Sequence, residues 1–173
     1  KSRVLDVRVG PLSPSTVAKL LSPQEHVEHF DLICSLSQGS LDEARVYLEG
    51  GDWSAFDLRE RAFKLLLVLH KTPTVTLFDF LTAVPEDLRK RFFHLACSIL
   101  ADLSLQACEI PPVYHADKID LYAKLLPMYK RGVSLFSTLM VDYQARLMQS
   151  GIRSELQLKS FFLDLKHQTR DLK

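Results

Sequence analysis

LICSLSQGSLDEARVYLEGGDW, residues 32 to 53, holds the pattern that decides the fold. Leu32, Ile33, Cys34 and Leu36 close an apolar helix, and Gly39 stands where a left-handed cap would end it. Ser40-Leu41-Asp42-Glu43 is a capping box, in which the Ser40 hydroxyl and the Glu43 carboxylate each satisfy an orphan donor of a new helix. Leu41, Ala44, Tyr47 and Leu48 give that helix its buried face, and Gly50-Gly51 closes it before the lone Trp53.

Upstream the same device recurs. Ser22-Pro23-Gln24-Glu25 opens the helix that carries Val27, Phe30 and Ile33, and Ser13-Pro14 places a capping hydroxyl before a proline at the first helical position. Val17, Leu20 and Leu21 form the apolar side of that first helix. Lys1 to Val9 is β-prone and ends at Gly10-Pro11, so it reads as the last strand of a preceding domain. Three short helices cannot each bury a stripe alone and must form one small module.

Downstream the helices lengthen. Ser54 caps a run to Leu69 that is apolar almost all round and is expected at the centre of its bundle, with Pro73 ending it. A shorter helix carries Leu77, Phe78, Phe80 and Leu81, Pro85 breaks the chain, and Leu88 to Leu105 forms a long amphipathic element. Ile110-Pro111-Pro112-Val113 is a rigid loop. A helix from Asp117 to Leu126 meets Pro127, which should break or kink it. Val133, Phe136, Met140, Tyr143 and Leu147 form a packing seam, and Ser154-Glu155-Leu156-Gln157 opens the last helix as a capping box. The fold class is therefore all-α apart from the opening residues.

The totals exclude several classes. The 173 residues suffice for one domain or two small ones, and a net charge of +1 supplies no global field for nucleic acid or for a cationic partner. The densest apolar stretch, FKLLLVLH at residues 63 to 70, is too short to span a membrane. An opening on Lys1 without a methionine or a signal segment reads as part of a larger protein. Cys34, Cys97 and Cys108 are widely spaced among helix residues and are expected as buried small hydrophobes in a reducing, cytoplasmic setting.

Candidate chemistry is sparse. His26 and His29 beside Glu25 and Glu28 have a spacing that could face a metal, but no third ligand accompanies them, so a solvated helix face is the preferred reading and no metal is expected. His94 is expected to pack half-buried, with no nucleophile beside it. The run Leu88-Arg89-Lys90-Arg91-Phe92-Phe93 could touch phosphates, but helical periodicity turns its phenylalanines to the core and its charges to water. Nowhere is there a glycine-rich Lys-Ser/Thr loop for a triphosphate, so no cofactor is expected and this chain by itself should be catalytically inactive. Phe161 and Phe162 are neighbours on the last helix; the expectation is that only one faces inward, leaving the other as an interface residue.

Pro11-Leu12-Ser13 before a short helix, followed by Leu36-Ser37-Gln38-Gly39-Ser40 running into Leu41-Asp42-Glu43-Ala44, resembles the lid domain of bacterial DNA polymerase III clamp-loader subunits of the AAA+ class. Tyr143-Gln144-Ala145-Arg146-Leu147, Ile152 to Leu158 and Phe161-Phe162 are similar to the end of the collar domain of the delta-prime type in that family. The resemblance implies residues 1–10 as the end of a missing AAA+ domain, 11–52 as a three-helix lid and 53–173 as a helical collar for oligomerisation. ATP-binding relatives carry Gly-Ser-x-Arg at the lid turn, with an arginine that senses nucleotide; Asp42 stands at that place here, and a carboxylate would repel triphosphate oxygens. Ser2-Arg3 resembles the motif whose arginine reaches a neighbouring subunit's ATP site, which implies for Arg3 a catalytic role in trans; Val4 departs from that motif's cysteine. The implied partners are the gamma/tau and delta subunits and, through the whole complex, the sliding clamp and primed DNA. The alternatives are a gamma/tau-type subunit and a free-standing helical adaptor that binds a partner helix.

Overall fold

The structure, a computed structural model, describes residues 10–21, 30–37, 39–49, 52–129, 132–148 and 153–170, apart from the side chains of 147, 148, 169 and 170. Among these residues the fold is all-helical, with no strand. The β-prone opening, the capping box at Ser22, and Gly50-Gly51 lie outside the described residues. Two compact units divide the chain, residues 1–55 and 56–173.

In the first unit, α1 (Pro14–Leu21), α2 (Phe30–Leu36) and α3 (Leu41–Leu48) each touch the other two. The Ser13 carbonyl accepts the amides of Thr16 and Val17, and its hydroxyl accepts Thr16 N–H at 3.2 Å, so Ser13 caps α1 with Pro14 as the first helical residue. Ser40 caps α3 by accepting Glu43 N–H at 3.2 Å. Val17, Ile33, Cys34, Leu36, Ala44 and Tyr47 are buried, and the Ser37 hydroxyl donates to the Cys34 carbonyl at 2.8 Å.

Gly39 has φ of +84°, the left-handed conformation expected of a cap. Space demands glycine there as well. A Cβ would sit 2.4 Å from the Leu12 carbonyl oxygen and 2.5 Å from the Leu12 nitrogen, while Leu12 N–H donates to the Gly39 carbonyl at 3.2 Å. Backbone atoms cannot swing away as a flexible side chain would, so Pro11-Leu12 and the turn before α3 are locked by direct contact.

The second unit contains α4 (Ala55–Val68), α5 (Thr74–Ala83), α6 (Arg89–Ala107), α7 (Ile119–Tyr129), α8 (Val133–Met148) and α9 (Ser154–Arg170). Its middle is α6, which packs on α7, α8 and α9; α9 also packs on α5 and α8. The helix after Trp53, expected to be apolar almost all round and central, has a water side bearing Lys64 and Val68, and it is α6 that holds the middle. Pro127 sits inside α7 and does not end it. Tyr122, Leu125 and Tyr129 are buried on both sides of the proline, and the Tyr129 hydroxyl donates to the Leu66 carbonyl at 2.6 Å, so tertiary packing holds the helix across its missing donor.

The cap of the last helix lies one residue earlier than the capping box implied, at Arg153 and not at Ser154. Arg153 offers the carbonyl that accepts the amides of Leu156 and Gln157, so Ser154 is already helical. Glu155 is used elsewhere: its carboxylate accepts from Lys159 at 2.6 Å and from the Thr82 hydroxyl at 3.2 Å, and pairs with Arg89 at 3.4 Å. The Lys159 bond above all holds the Glu155 carboxyl below its usual range.

Replacing Gly39 by alanine should destabilise the first unit by at least about 2 kcal/mol, from left-handed strain plus a clash with backbone. Amide exchange of residues 12 to 21 and 39 to 48 reads the loss. Gly10→Ala, where nothing lies within 4 Å of the added carbon, is the matched control and should be close to neutral; equal protection in the two variants would refute the constraint.

Candidate functional site

Asp102 occupies the register of Leu95 and Ile99 on the core side of α6, one residue before Leu103. It is completely buried, an expensive place for a carboxylate. Helical geometry aims it at the chain that follows α6. That chain leaves the helix at Cys108, turns through Glu109 at φ +62°, and runs through Pro111 and Pro112 to Tyr114. The amide of Ile110 returns to the Leu105 carbonyl and that of Glu109 to the Gln106 carbonyl, the bond pair of a Schellman cap with a non-glycine at the left-handed position.

Three consecutive amides of this loop then converge on the buried carboxylate. Val113 N–H donates at 2.7 Å, Tyr114 N–H at 3.0 Å and His115 N–H at 2.8 Å; the Tyr122 hydroxyl on α7 donates at 3.0 Å. All of its partners are donors, the set that an ionised carboxylate, an acceptor only, can satisfy. Burial, and then the Asp102 charge, push the Tyr122 phenol well above its usual range.

His115 is buried beside it and joins three elements. Arg59 of α4, only 1% exposed, donates its Nε–H to His115 Nδ1 at 3.0 Å and its Nη2 to Asp117, while its guanidinium stands 5.7 Å from the Phe63 ring centroid. With Nδ1 an acceptor, the neutral ring carries its proton on Nε2 and donates it to Ser98 Oγ, 2.8 Å away. Ser98 in turn donates to the Leu95 carbonyl at 2.9 Å. Burial first, and the Arg59 guanidinium second, lower the His115 pKa to about 4.

A serine bonded to a buried histidine invites comparison with a nucleophile and its base. The bonding excludes that use. A base must present a bare nitrogen to the hydroxyl, with a carboxylate behind it to stabilise the imidazolium. Here the bare nitrogen faces a guanidinium and the hydroxyl accepts a proton instead of donating one to the ring. The network is therefore a clasp that joins α4, α6, α7 and the loop between α6 and α7.

Of the residues singled out from the sequence, Arg3, His26, His29, Glu25 and Glu28 lie outside the described residues. Phe161 and Phe162 are both 0% exposed, which corrects the expectation that only one faces inward and removes both from the surface of the folded chain. The reason is that α9 has neighbours on more than one side. Phe161 meets Phe93 of α6 at 4.8 Å and Tyr143 of α8 at 5.5 Å between centroids, whereas Phe162 meets Phe92 of α6 at 5.9 Å. Phe92 continues to Phe80 of α5, so the adjacent pair on α9 interlocks with the adjacent pair on α6.

His94 is exposed, not half-buried, and Cys108 is exposed at the end of α6, where no helix covers it. Cys34 is buried, and burial raises the Cys97 thiol to about 12, which leaves it no nucleophile at neutral pH. Arg89 is tied to Glu155 and to the Val84 carbonyl at 3.1 Å, so the first cation of the basic run serves the fold. Asp42 is on the surface, 3.7 Å from Arg45. Among the described residues no cluster of three or more His, Cys, Asp or Glu could hold a metal ion, and no helix is long and apolar enough to cross a membrane.

Asp102→Asn should cost about 3 kcal/mol, because an amide group would turn donors toward donors inside the core. Urea unfolding measures it, and the amides of Val113, Tyr114 and His115 should lose exchange protection together. The His115 pKa, lowered in the fold from 6.5 to about 4, means that the unfolded chain takes up a proton between those values and the folded chain does not. This contribution is complete above pH 6.5 and falls by about 1 kcal/mol per pH unit as the solution is acidified toward pH 4. His115→Gln should flatten that part of the stability profile; an unchanged slope would place the acid sensitivity elsewhere.

Compared with protein-family models, with curated proteins and with solved structures, the chain matches none.

Proposed function

We propose that this chain is the lid and collar portion of a delta-prime-type bacterial clamp-loader subunit, cytoplasmic, with a structural role in assembly. The observation that carries the reading is the contact between Gly39 and Leu12. The two segments on which the lid resemblance rests, Pro11-Leu12-Ser13 and Gln38-Gly39-Ser40, are separate in sequence, and Gly39 and Leu12 meet at a distance that admits no side chain. A turn so constrained sets the start of α3, the helix on which the family's nucleotide-sensing arginine would stand. Asp42 takes that place and points into water with Arg45 as its neighbour. On this reading the turn is kept without the cation that would engage a triphosphate.

The second unit supports an assembly role in a different way. Its interior is closed by aromatic interlock and by the Asp102 clasp, with the one serine-histidine pair described there bonded in the wrong sense for acyl transfer. On this reading the chain joins gamma/tau and delta subunits, and reaches the sliding clamp and primed DNA only through the complex.

Mixing the chain with gamma/tau and delta subunits should give a defined hetero-oligomer in gel filtration with light scattering. Calorimetry should detect no ATP binding by the isolated chain at micromolar nucleotide. Tight ATP binding would move the assignment away from the delta-prime type, and failure to enter the oligomer would overturn the proposal.

A further inference from the structure

The Asp102 clasp has a product at the surface. Of the three residues whose amides it captures, His115 turns inward and the other two turn outward: Val113 is 66% exposed and Tyr114 36%, with Ile110 before them at 48% and Ile119 after them at 54%. Exposed aliphatic side chains are ordinary when scattered; four within ten residues of a stiffened loop are not. Pro111 and Pro112 restrict the backbone on one side, and the Gln106 side-chain amide donates to the Ile110 carbonyl at 2.8 Å. The loop is ordered before any partner arrives, which removes the conformational cost that a floppy apolar loop would incur on docking.

Charge selects the partner. Around the loop, Lys118 is already paired with Glu60, and Arg59 with Asp117. Among the described residues, Glu109 and Asp120, both exposed, have no counter-ion at salt-bridge distance, and they stand at either end of the apolar segment in sequence. With Lys124, one turn further along α7, the stretch from residue 109 to 124 still sums to a net charge of −1 (three acidic and two basic residues). A partner with carboxylates at the edge of its contact would be repelled, and one with lysine or arginine there would be steered in.

We propose that the loop from Ile110 to Tyr114, with Ile119 beside it, is a preorganised docking surface for a protein segment that presents aliphatic side chains edged by lysine or arginine. This surface is independent of the clamp-loader reading, and either can fail without the other.

The test uses the full chain and two synthetic amphipathic helical peptides of about fourteen residues, identical in their leucine stripe, one flanked by lysines and the other by glutamates. Fluorescence anisotropy of the labelled peptides gives the affinities. The lysine peptide should bind at least about tenfold more tightly than its glutamate twin, and Val113→Asp should weaken it by about tenfold or more. The double replacement Glu109→Lys with Asp120→Lys should reverse the preference between the peptides. Val75→Asp, at an equally exposed valine on α5, should change nothing. Far-ultraviolet dichroism and melting of each variant establish that the fold is intact; should Val113→Asp prove unfolded, Val113→Ser takes its place. Equal affinity for the two peptides, absence of binding, or equal losses from Val113→Asp and Val75→Asp would each overturn the proposal.

Discussion

A fully buried carboxylate organises the second unit. Among the described residues no cation stands at salt-bridge distance from Asp102, and the groups bonded to it are three successive amides and one phenol. Hydrogen bonds to a charged group contribute roughly 1.5 to 3 kcal/mol each, enough for such a set to offset the desolvation of the anion, whereas an incomplete set would not. This all-or-none requirement fixes where the loop after α6 must run. Once it runs there, His115 is carried against Arg59, and α4 becomes tied to α6 and α7 through side chains that no local rule connects.

Arg59 and His115 illustrate how a buried polar network determines its own chemistry. A guanidinium only donates, so the nitrogen it meets must accept, and the ring proton is forced to the other side. The tautomer, the direction of the Ser98 bond and the reluctance of the ring to take up a second proton all follow from one neighbour. The same residue types with a carboxylate in place of Arg59 would be arranged for base catalysis. Chemistry here depends on which group stands behind the histidine and not on the presence of the histidine and serine.

Local signals in the sequence were accurate where the physics is local. Ser13-Pro14, Ser40 with Glu43, and Gly39 announced a start, a start and a stop, and each acts within a few bonds of its own backbone. The last capping box misled by one residue, because α9 starts from the Arg153 carbonyl and Ser154 is already its first helical residue. Pro127 does not break α7, because its cost is borne by the tertiary contacts of Tyr122, Leu125 and Tyr129. The clasp left one trace in the sequence, an aspartate at a core register of an amphipathic helix, which signals a buried acid without naming its partners.

What the sequence determined by itself is the helical class of the described residues, the starts of α1 and α3 and the inward turn of Phe92 and Phe93, because capping and periodicity are properties of a few consecutive residues. What only the tertiary structure decided is which side chains meet across elements. Phe161 and Phe162 could both be buried only because α9 has helices on several sides. Arg59, Ser98, Asp102, His115 and Tyr122 come from three helices and a loop. Their bonds span up to 56 residues, and at that separation a one-dimensional pattern holds no record of distance, direction or proton position.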